Sequence, residues 1–446
     1  MPTVYPFRAL QYSRGKGDVS AFIAPPYDVL DSAGKARLLA RSDANIVAID
    51  LPHTPAKELG PPAAYDGAAA LYRRWAAEGV LSRSQPAMFA YRQTTSAASG
   101  VSRRCGMAAC VDVVPFGPRA GGGILPHEET FSGPKEDRMA LMKATRAQLS
   151  PIFGLHADES RAATNLLHGI MAARPAGMTA RSDDGVLHEV WTVSDEATIN
   201  AYREALRTED IFIADGHHRY TTQINYLKGL EQAGSLPADH PARRSMMVLV
   251  GMSDPGLLIW PTHRVVGGMK DYTLDAFITA AGTRLRLEPL AGSLADLDRA
   301  LERATGMGEM RFGIHDFATG RQFLAMPAAE DPLAARFPDK PPAWRKLVVA
   351  FLQYAVVEEV CQGALNAGAP VRWAFPHTIA ETEAIGSGAE TGAGGGRGFA
   401  QLALIVRPTP LTAVKDVSRA NQLMPQKSTF FYPKLATGLF INPLEP

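Results

Sequence analysis

The sequence predicts a mixed α+β fold, and three observations carry that reading. Short apolar runs of strand length alternate irregularly with stretches of helical periodicity, as at Met246–Met252 against Tyr65–Gly79. Two strand-like runs, Met88 to Thr94 and Arg104 to Val114, flank a small-residue turn and read as an antiparallel hairpin. The chain has 446 residues, more than one hydrophobic core usually serves, so two or three packed units are expected.

The elements follow in chain order. Pro6 to Leu10 opens as a strand, and Pro25-Pro26 then makes a rigid connector, because paired prolines fix φ and remove backbone donors. Asp31 or Ser32 caps a helix through Leu39. Ile46 to Leu51, an apolar run between Asn45 and Pro52, reads as a buried strand, and Gly79 stops the helix that starts near Tyr65. Beyond a Gly/Pro-rich loop, Pro134 to Leu149 is expected as a helix with Pro134 at its first position, followed by the strand Pro151–Leu155. A helix at Glu159–Ala173, a strand at Leu187–Val193 and a helix from Ser194 to Leu206 come next. The strand Ile211–Ala214 then runs through Asp215-Gly216 into a helix from His218 to Ala233. Trp260 to Val266 is a strand, Trp344 to Leu365 a helix, and Ala400 to Val406 a strand, with a glycine-rich mobile loop at Gly386–Gly398. The expected division is an N-terminal α/β region (1–120), a core (121–270), an accessory α/β module (271–340) and a C-terminal part completing the site (341–446).

Composition narrows the function. The 46 basic and 45 acidic side chains leave a net charge of +1, so no long-range field points to nucleic acid or an anionic membrane as partner. No apolar stretch is long enough to span a bilayer and the first ten residues do not read as a signal peptide, so a cytoplasmic protein is expected. Cys105, Cys110 and Cys361 form neither a disulfide framework nor a zinc spacing, and read as buried, inert thiols.

The richest chemistry lies at Asp215 to Thr222. A glycine turn from a strand into a helix presents first-turn amides and the positive end of the helix dipole to an anion. His217, His218 and Arg219 add donors, Arg219 as a planar fork suited to two phosphate oxygens, and Thr221 and Thr222 add hydroxyls. The bland alternative is that Asp215 caps the helix and the histidines face solvent. A divalent ion on Asp215, His217 and His218 is a weaker alternative, since adjacent histidines reach one metal only across a sharp bend. A Mg²⁺ ion arriving with ATP or ADP fits more easily.

A second cluster follows Leu125-Pro126, where Glu128 is a candidate general base and Lys135 and Arg138 candidate phosphate holders. Arg264, at the end of a strand, reads as a ligand clamp or a satisfied ion pair. Lys427 and Ser428 sit in a Pro-bounded loop that closes over a ligand or simply packs. There is no phosphate-binding Gly-x-x-x-x-Gly-Lys loop, no Gly-x-Ser-x-Gly elbow and no His-Glu-x-x-His pair.

Six segments in order carry a resemblance: APPYDVL at 24–30, LPHEETFSGPKEDR at 125–138, SPIFGL at 150–155, ADGHHRY at 214–220, PTHR at 261–264 and MPQKSTFFYPK at 424–434. In these the chain resembles the bacterial and archaeal family catalogued as domain of unknown function 1015. The ADGHHR turn is similar to that of the ParB/sulfiredoxin superfamily, which includes free-serine kinases. The resemblance implies a phosphate-binding core of that type with additional α/β modules. It also implies that Asp215, Gly216, His217, His218 and Arg219 bind the phosphates of a nucleotide. The expected activity is phosphoryl transfer from ATP or ADP, with Mg²⁺, to free L-serine or a similar hydroxylated metabolite. Glu128 is the expected base, Asp215 the alternative, and His217 a further candidate catalytic group. A nucleotide-binding regulatory module and a phosphoamino-acid hydrolase stand as alternative functions, and a homodimer is left open.

Overall fold

A computed structural model of the protein describes residues 3–13, 17–97, 100–128, 132–304, 310–391 and 396–445. Part of the expected glycine-rich loop, 392–395, lies outside the described residues, as do 129–131 of the LPHEET segment. The architecture is mixed α+β, and the chain divides into two compact units. Among the described residues no helix is long and apolar enough to cross a membrane.

The first unit comprises 1–126, 130–258 and 433–446. Its main sheet runs Ile124–Leu125, Ile211–Asp215, Ile152–His156, Arg244–Gly251, Gly100–Asp112, Met88–Ala97, Leu187–Val193 and Met178–Arg181, with Val4–Tyr5 beside Gly100–Asp112. Two pairings are parallel, Ile211–Asp215 with Ile124–Leu125 and Arg244–Gly251 with Ile152–His156; the rest are antiparallel. The expected hairpin is present, Phe89 facing Ala108 and Tyr91 facing Gly106. Central strands are apolar on both faces, Met246 to Val250 being fully buried, which is what a sheet covered on both sides requires. Helix His217–Ala233 packs on Ser132–Thr145, which packs on Pro62–Ala77.

Local signals account for most boundaries. Asp31 Oδ1 accepts the Gly34 amide at 2.7 Å and starts the helix Ser32–Arg41, and Asp195 Oδ1 accepts the Thr198 amide at 2.8 Å and starts Glu196–Ala205. Three expectations fail in this unit. Pro6 to Leu10 is not a strand: the strands are Val4–Tyr5 and Leu10–Tyr12, on either side. Ile46 to Leu51 is not a strand: Val47–Asp50 is one helical turn, set by the Asn45 carboxamide, which accepts the Val47 amide at 3.0 Å. A short apolar run buries equally well in either form, and the flanking Asn45 decided it. The helix expected to Leu149 stops at Thr145, where Arg146 takes a φ of 50°. Ala147–Gln148 then pairs with Asn442–Pro443 as a small strand.

The second unit comprises 127–129 and 259–432. Its antiparallel sheet runs Leu285–Leu290, Gln322–Pro327, Phe312–Asp316, Ala400–Ile405, Arg264–Gly267 and Arg372–Ala374. Phe277, Phe312, Phe351, Trp344 and Val357 pack its core. The expected helix from Trp344 breaks into Pro342–Arg345, Val348–Phe351 and a π-helical stretch, Leu352–Ala364.

One buried group in the first unit makes acid stability predictable. His188 is 1% exposed, its Nδ1 lies 2.6 Å from the Tyr91 hydroxyl, and burial, aided by Arg104, lowers its pKa to about 3. The unfolded chain takes up the proton near pH 6.5, and the folded chain does so only near its own lower value. The stability it contributes is therefore complete above pH 6.5 and is lost as pH falls toward 3, at about 1.4 kcal/mol per pH unit. Urea unfolding at pH 7 and pH 5 should show a shallower loss for His188→Gln than for the parent; equal slopes would refute a histidine held neutral.

Candidate functional site

The turn at Asp215 is assembled from its strand. Ile211, Phe212 and Ile213 are fully buried and fix the strand, and a register shift against Ile152–His156 occurs between Ile213 and Asp215. Such an irregularity re-aims the side chain that follows it. Gly216 has φ 97°, a left-handed conformation that side chains resist. A Cβ there would also stand 3.1 Å from the Arg219 guanidinium. The helix begins at His217, with Gly216, which has no side chain, as its N-cap. Gly216→Ala should cost about 1–2 kcal/mol of stability through the backbone alone. It should also displace Arg219, raising the dissociation constant for any anion bound here; unchanged melting and affinity would contradict this packing.

Asp215 is the hub of an ion cluster within the first unit. Its Oδ2 accepts from Arg219 Nη2 at 2.7 Å, and its Oδ1 lies 3.3 Å from Lys434 Nζ. Arg219 also donates to the Pro151 carbonyl. Burial by itself pushes the Asp215 carboxyl up, but Lys434 and Arg219 outweigh it and hold the group well below the usual carboxylate range. An aspartate held ionised in this way is a poor proton acceptor, which weighs against Asp215 as base. Its chemistry is that of a counter-ion that arranges two cations.

Lys434 is itself held through its backbone. Gln93 Nε2 donates to the Lys434 carbonyl at 2.8 Å, and buried Arg104 donates to the Pro433 carbonyl and to Gln93. The Arg104 guanidinium lies 4.5 Å from the Phe153 ring centre, and burial brings its pKa down to about 10. The hairpin Met88–Asp112 thus supplies the support, and SPIFGL supplies both the Pro151 carbonyl and Phe153.

Further charges surround the start of the helix. The imidazole of His218 is lowered in pKa first by burial, then by Lys135, Lys57 and Arg219, with Asp28 opposing. Two of the recognised segments, those bearing Asp28 and Lys135, therefore converge on this turn. Arg138 has a different place. It is buried, donates to Asp137 Oδ2 at 2.8 Å and to the Asp50 carbonyl at 2.7 Å, and lies 3.9 Å from the Tyr27 ring centre. Asp137 in turn accepts from the Tyr65 hydroxyl at 2.8 Å. The hydroxyls of Thr221 and Thr222 donate to the carbonyls of His217 and His218, at 2.9 and 2.8 Å, so their protons serve their own helix.

The other sequence candidates gather in the second unit. Glu128 bridges to Met424, and its Oε1 lies 3.5 Å from the Lys427 amide; His127 Nε2 lies 2.8 Å from the Thr429 hydroxyl. Arg264 is buried and donates to the carbonyls of Thr262 and, at 3.1 Å, Lys427. Ser428 donates to the Pro425 carbonyl. His127 and Glu128 are thus neighbours in space of the MPQKST segment, while Arg264 and Ser428 spend donors on main chain. Sequence reading placed Lys434 only within a loop that closes over a ligand or packs, and it gave Arg104 no role. Lys434 closes a recognised segment that otherwise resembles a packed tail, and Arg104 joins its hairpin neighbour Gln93 to Pro433, which is distant in sequence.

A family model described as "Protein of unknown function (DUF1015)" matches residues 4–347. The chain belongs to that family. The matched region includes Asp215 and Arg219, and it ends before Lys434. No curated protein matches the chain. Among solved structures it is similar to a free serine kinase in complex with AMP, at 10% identity and a TM-score of 0.34, covering 69% of this chain and 83% of that one. A conserved hypothetical protein from Pyrococcus furiosus matches at 12% identity and a TM-score of 0.33, covering 72% and 95%. SbnI from Staphylococcus aureus, with a C-terminal truncation, matches at 12% identity and a TM-score of 0.33, covering 76% and 87%. These are distant likenesses of fold.

Proposed function

We propose that the Asp215–Thr222 turn binds the phosphates of a nucleotide and that the protein is a small-molecule phosphotransferase, with free L-serine as the first acceptor to test. The observation that carries this is the pairing of Asp215 with both Arg219 and Lys434 at the start of a helix that follows a glycine turn. Phosphoryl transfer asks mainly for positioning and for neutralisation of charge on the transferred group. Arg219, Lys434, first-turn amides and a Mg²⁺ ion brought with ATP or ADP are groups of that kind. Asp215, ionised between two cations, would hold them apart until phosphate oxygens share them. It also offers the ion an oxygen ligand of the hard type that Mg²⁺ prefers. Glu128 is proposed as base on its motif alone.

The test is to incubate the purified full-length chain with Mg²⁺, ATP or ADP, and serine or other hydroxylated metabolites, and to measure acceptor phosphorylation. Phosphoserine that disappears with Arg219→Ala supports the reading. Tight nucleotide binding without acceptor-dependent turnover would instead mark a regulatory module. Absence of both binding and turnover would end the proposal.

A further inference from the structure

Three donor groups meet elsewhere in the first unit, where the strand Gly100–Asp112, the helix Ala162–Ala173 and the turn after Arg244–Gly251 come together. Cys105 Sγ, a ring nitrogen of His168 and a carboxylate oxygen of Asp254 all lie within 4.8 Å of one another. We infer that Cys105, His168 and Asp254 form a binding site for a thiophilic divalent cation of the zinc type.

The donor chemistry selects the ion. A thiolate, an imidazole and a carboxylate together suit zinc and disfavour magnesium or calcium, which take oxygen ligands. Zinc bonds of about 2.0–2.3 Å put tetrahedral ligand atoms roughly 3.3–3.8 Å apart. His168 Nε2 is already 3.8 Å from Asp254 Oδ2. The His168 side chain is 43% exposed and has room to adjust. Three protein ligands leave the fourth position for water on the His168 side.

The other two donors are fixed in advance. Asp254 is fully enclosed; its Oδ1 accepts the Gly256 amide at 2.9 Å and its Oδ2 the Cys105 amide at 3.3 Å. Gly256 permits this, because a Cβ there would stand 2.0 Å from the Arg103 carbonyl oxygen. The turn is thereby pressed onto the strand that carries Cys105. Backbone amides that orient a carboxylate are the usual outer support of a metal ligand. Burial, with Asp254 adding, raises the Cys105 thiol to about 12, so at neutral pH it holds its proton until a cation displaces it. Binding forms the sulfur–metal bond, releases that proton to solvent and moves no electrons. Affinity should therefore rise with pH.

The full-length chain, stripped with chelator, is titrated with Co²⁺ and then Zn²⁺. The expected result is a near-ultraviolet thiolate-to-cobalt absorption that saturates at one equivalent and is abolished by one equivalent of Zn²⁺, together with a melting temperature raised by Zn²⁺. Cys105→Ser should lose the band, His168→Ala should weaken Zn²⁺ binding at least tenfold, and Cys110→Ser should change neither. No thiolate–cobalt band in the parent protein overturns the assignment. So does a band of equal strength in Cys105→Ser, or undiminished affinity in His168→Ala. Should Cys105→Ser fail to fold, the half-exposed His168→Ala variant still decides.

Discussion

Replacing Arg219 by alanine should raise the dissociation constant for nucleotide about 100-fold, roughly 2.7 kcal/mol at 25 °C. The guanidinium joins the Asp215 carboxylate to the Pro151 carbonyl, and its planar fork retains further donors for phosphate oxygens. Its removal also takes one of the cations from Asp215, so negative charge at the turn is less neutralised just where an anion must enter. Arg219→Lys should recover only part of the loss, since one ammonium cannot reproduce the fork. Lys434→Ala, which removes a longer contact at 3.3 Å, should cost about tenfold. Isothermal titration with ATP and ADP measures all three. If Arg219→Ala binds nucleotide as the parent does, phosphate is not bound at this turn.

The second large effect concerns stability. Arg138→Met should destabilise the first unit by about 3–5 kcal/mol, because it takes the shared cation from two carboxylates that are almost fully buried, Asp50 at 3% exposure and Asp137 at 1%. Arg138 Nη1 lies 3.3 Å from Asp50 Oδ1, and Nη2 lies 2.7 Å from Asp137 Oδ2. Methionine keeps much of the volume, so the loss reports charge and not a cavity. Adding Asp50→Asn to Arg138→Met should recover part of the deficit by removing one buried charge. A denaturation midpoint within error of the parent would show that the cluster is not held by this arginine. The sequence reading placed Arg138 among the phosphate holders; in the structure its guanidinium lies against buried Asp50 and Asp137.

That difference shows which parts of the molecule were legible. The turn at Gly216 announces itself, because an apolar strand, a glycine and a polar helix start are adjacent and local sterics dictate the outcome. Helix caps at Asp31 and Asp195 are legible for the same reason. Asp137 and Arg138 look like ordinary first-turn charges, and only the fold brings Asp50, Tyr65 and Tyr27 around them. Lys434 is hidden for a related reason: its partner Asp215 is more than two hundred residues upstream, and no periodic pattern encodes that pairing. The short turn at Val47–Asp50 was misread because apolar runs of that length are compatible with either regular structure.

Lys434 also sets an order of events during synthesis. The segment 433–446 belongs to the first unit, where Thr437 pairs with Ala24, Ile441 with Leu10, and Asn442 with Gln148. The ribosome therefore delivers the whole of 259–432 before the lysine that faces Asp215 emerges. A nascent chain paused anywhere in that stretch carries Arg219 but not its cationic companion. Ligand affinity should then rise further once residues 433–446 have paired with Ala24, Leu10 and Gln148.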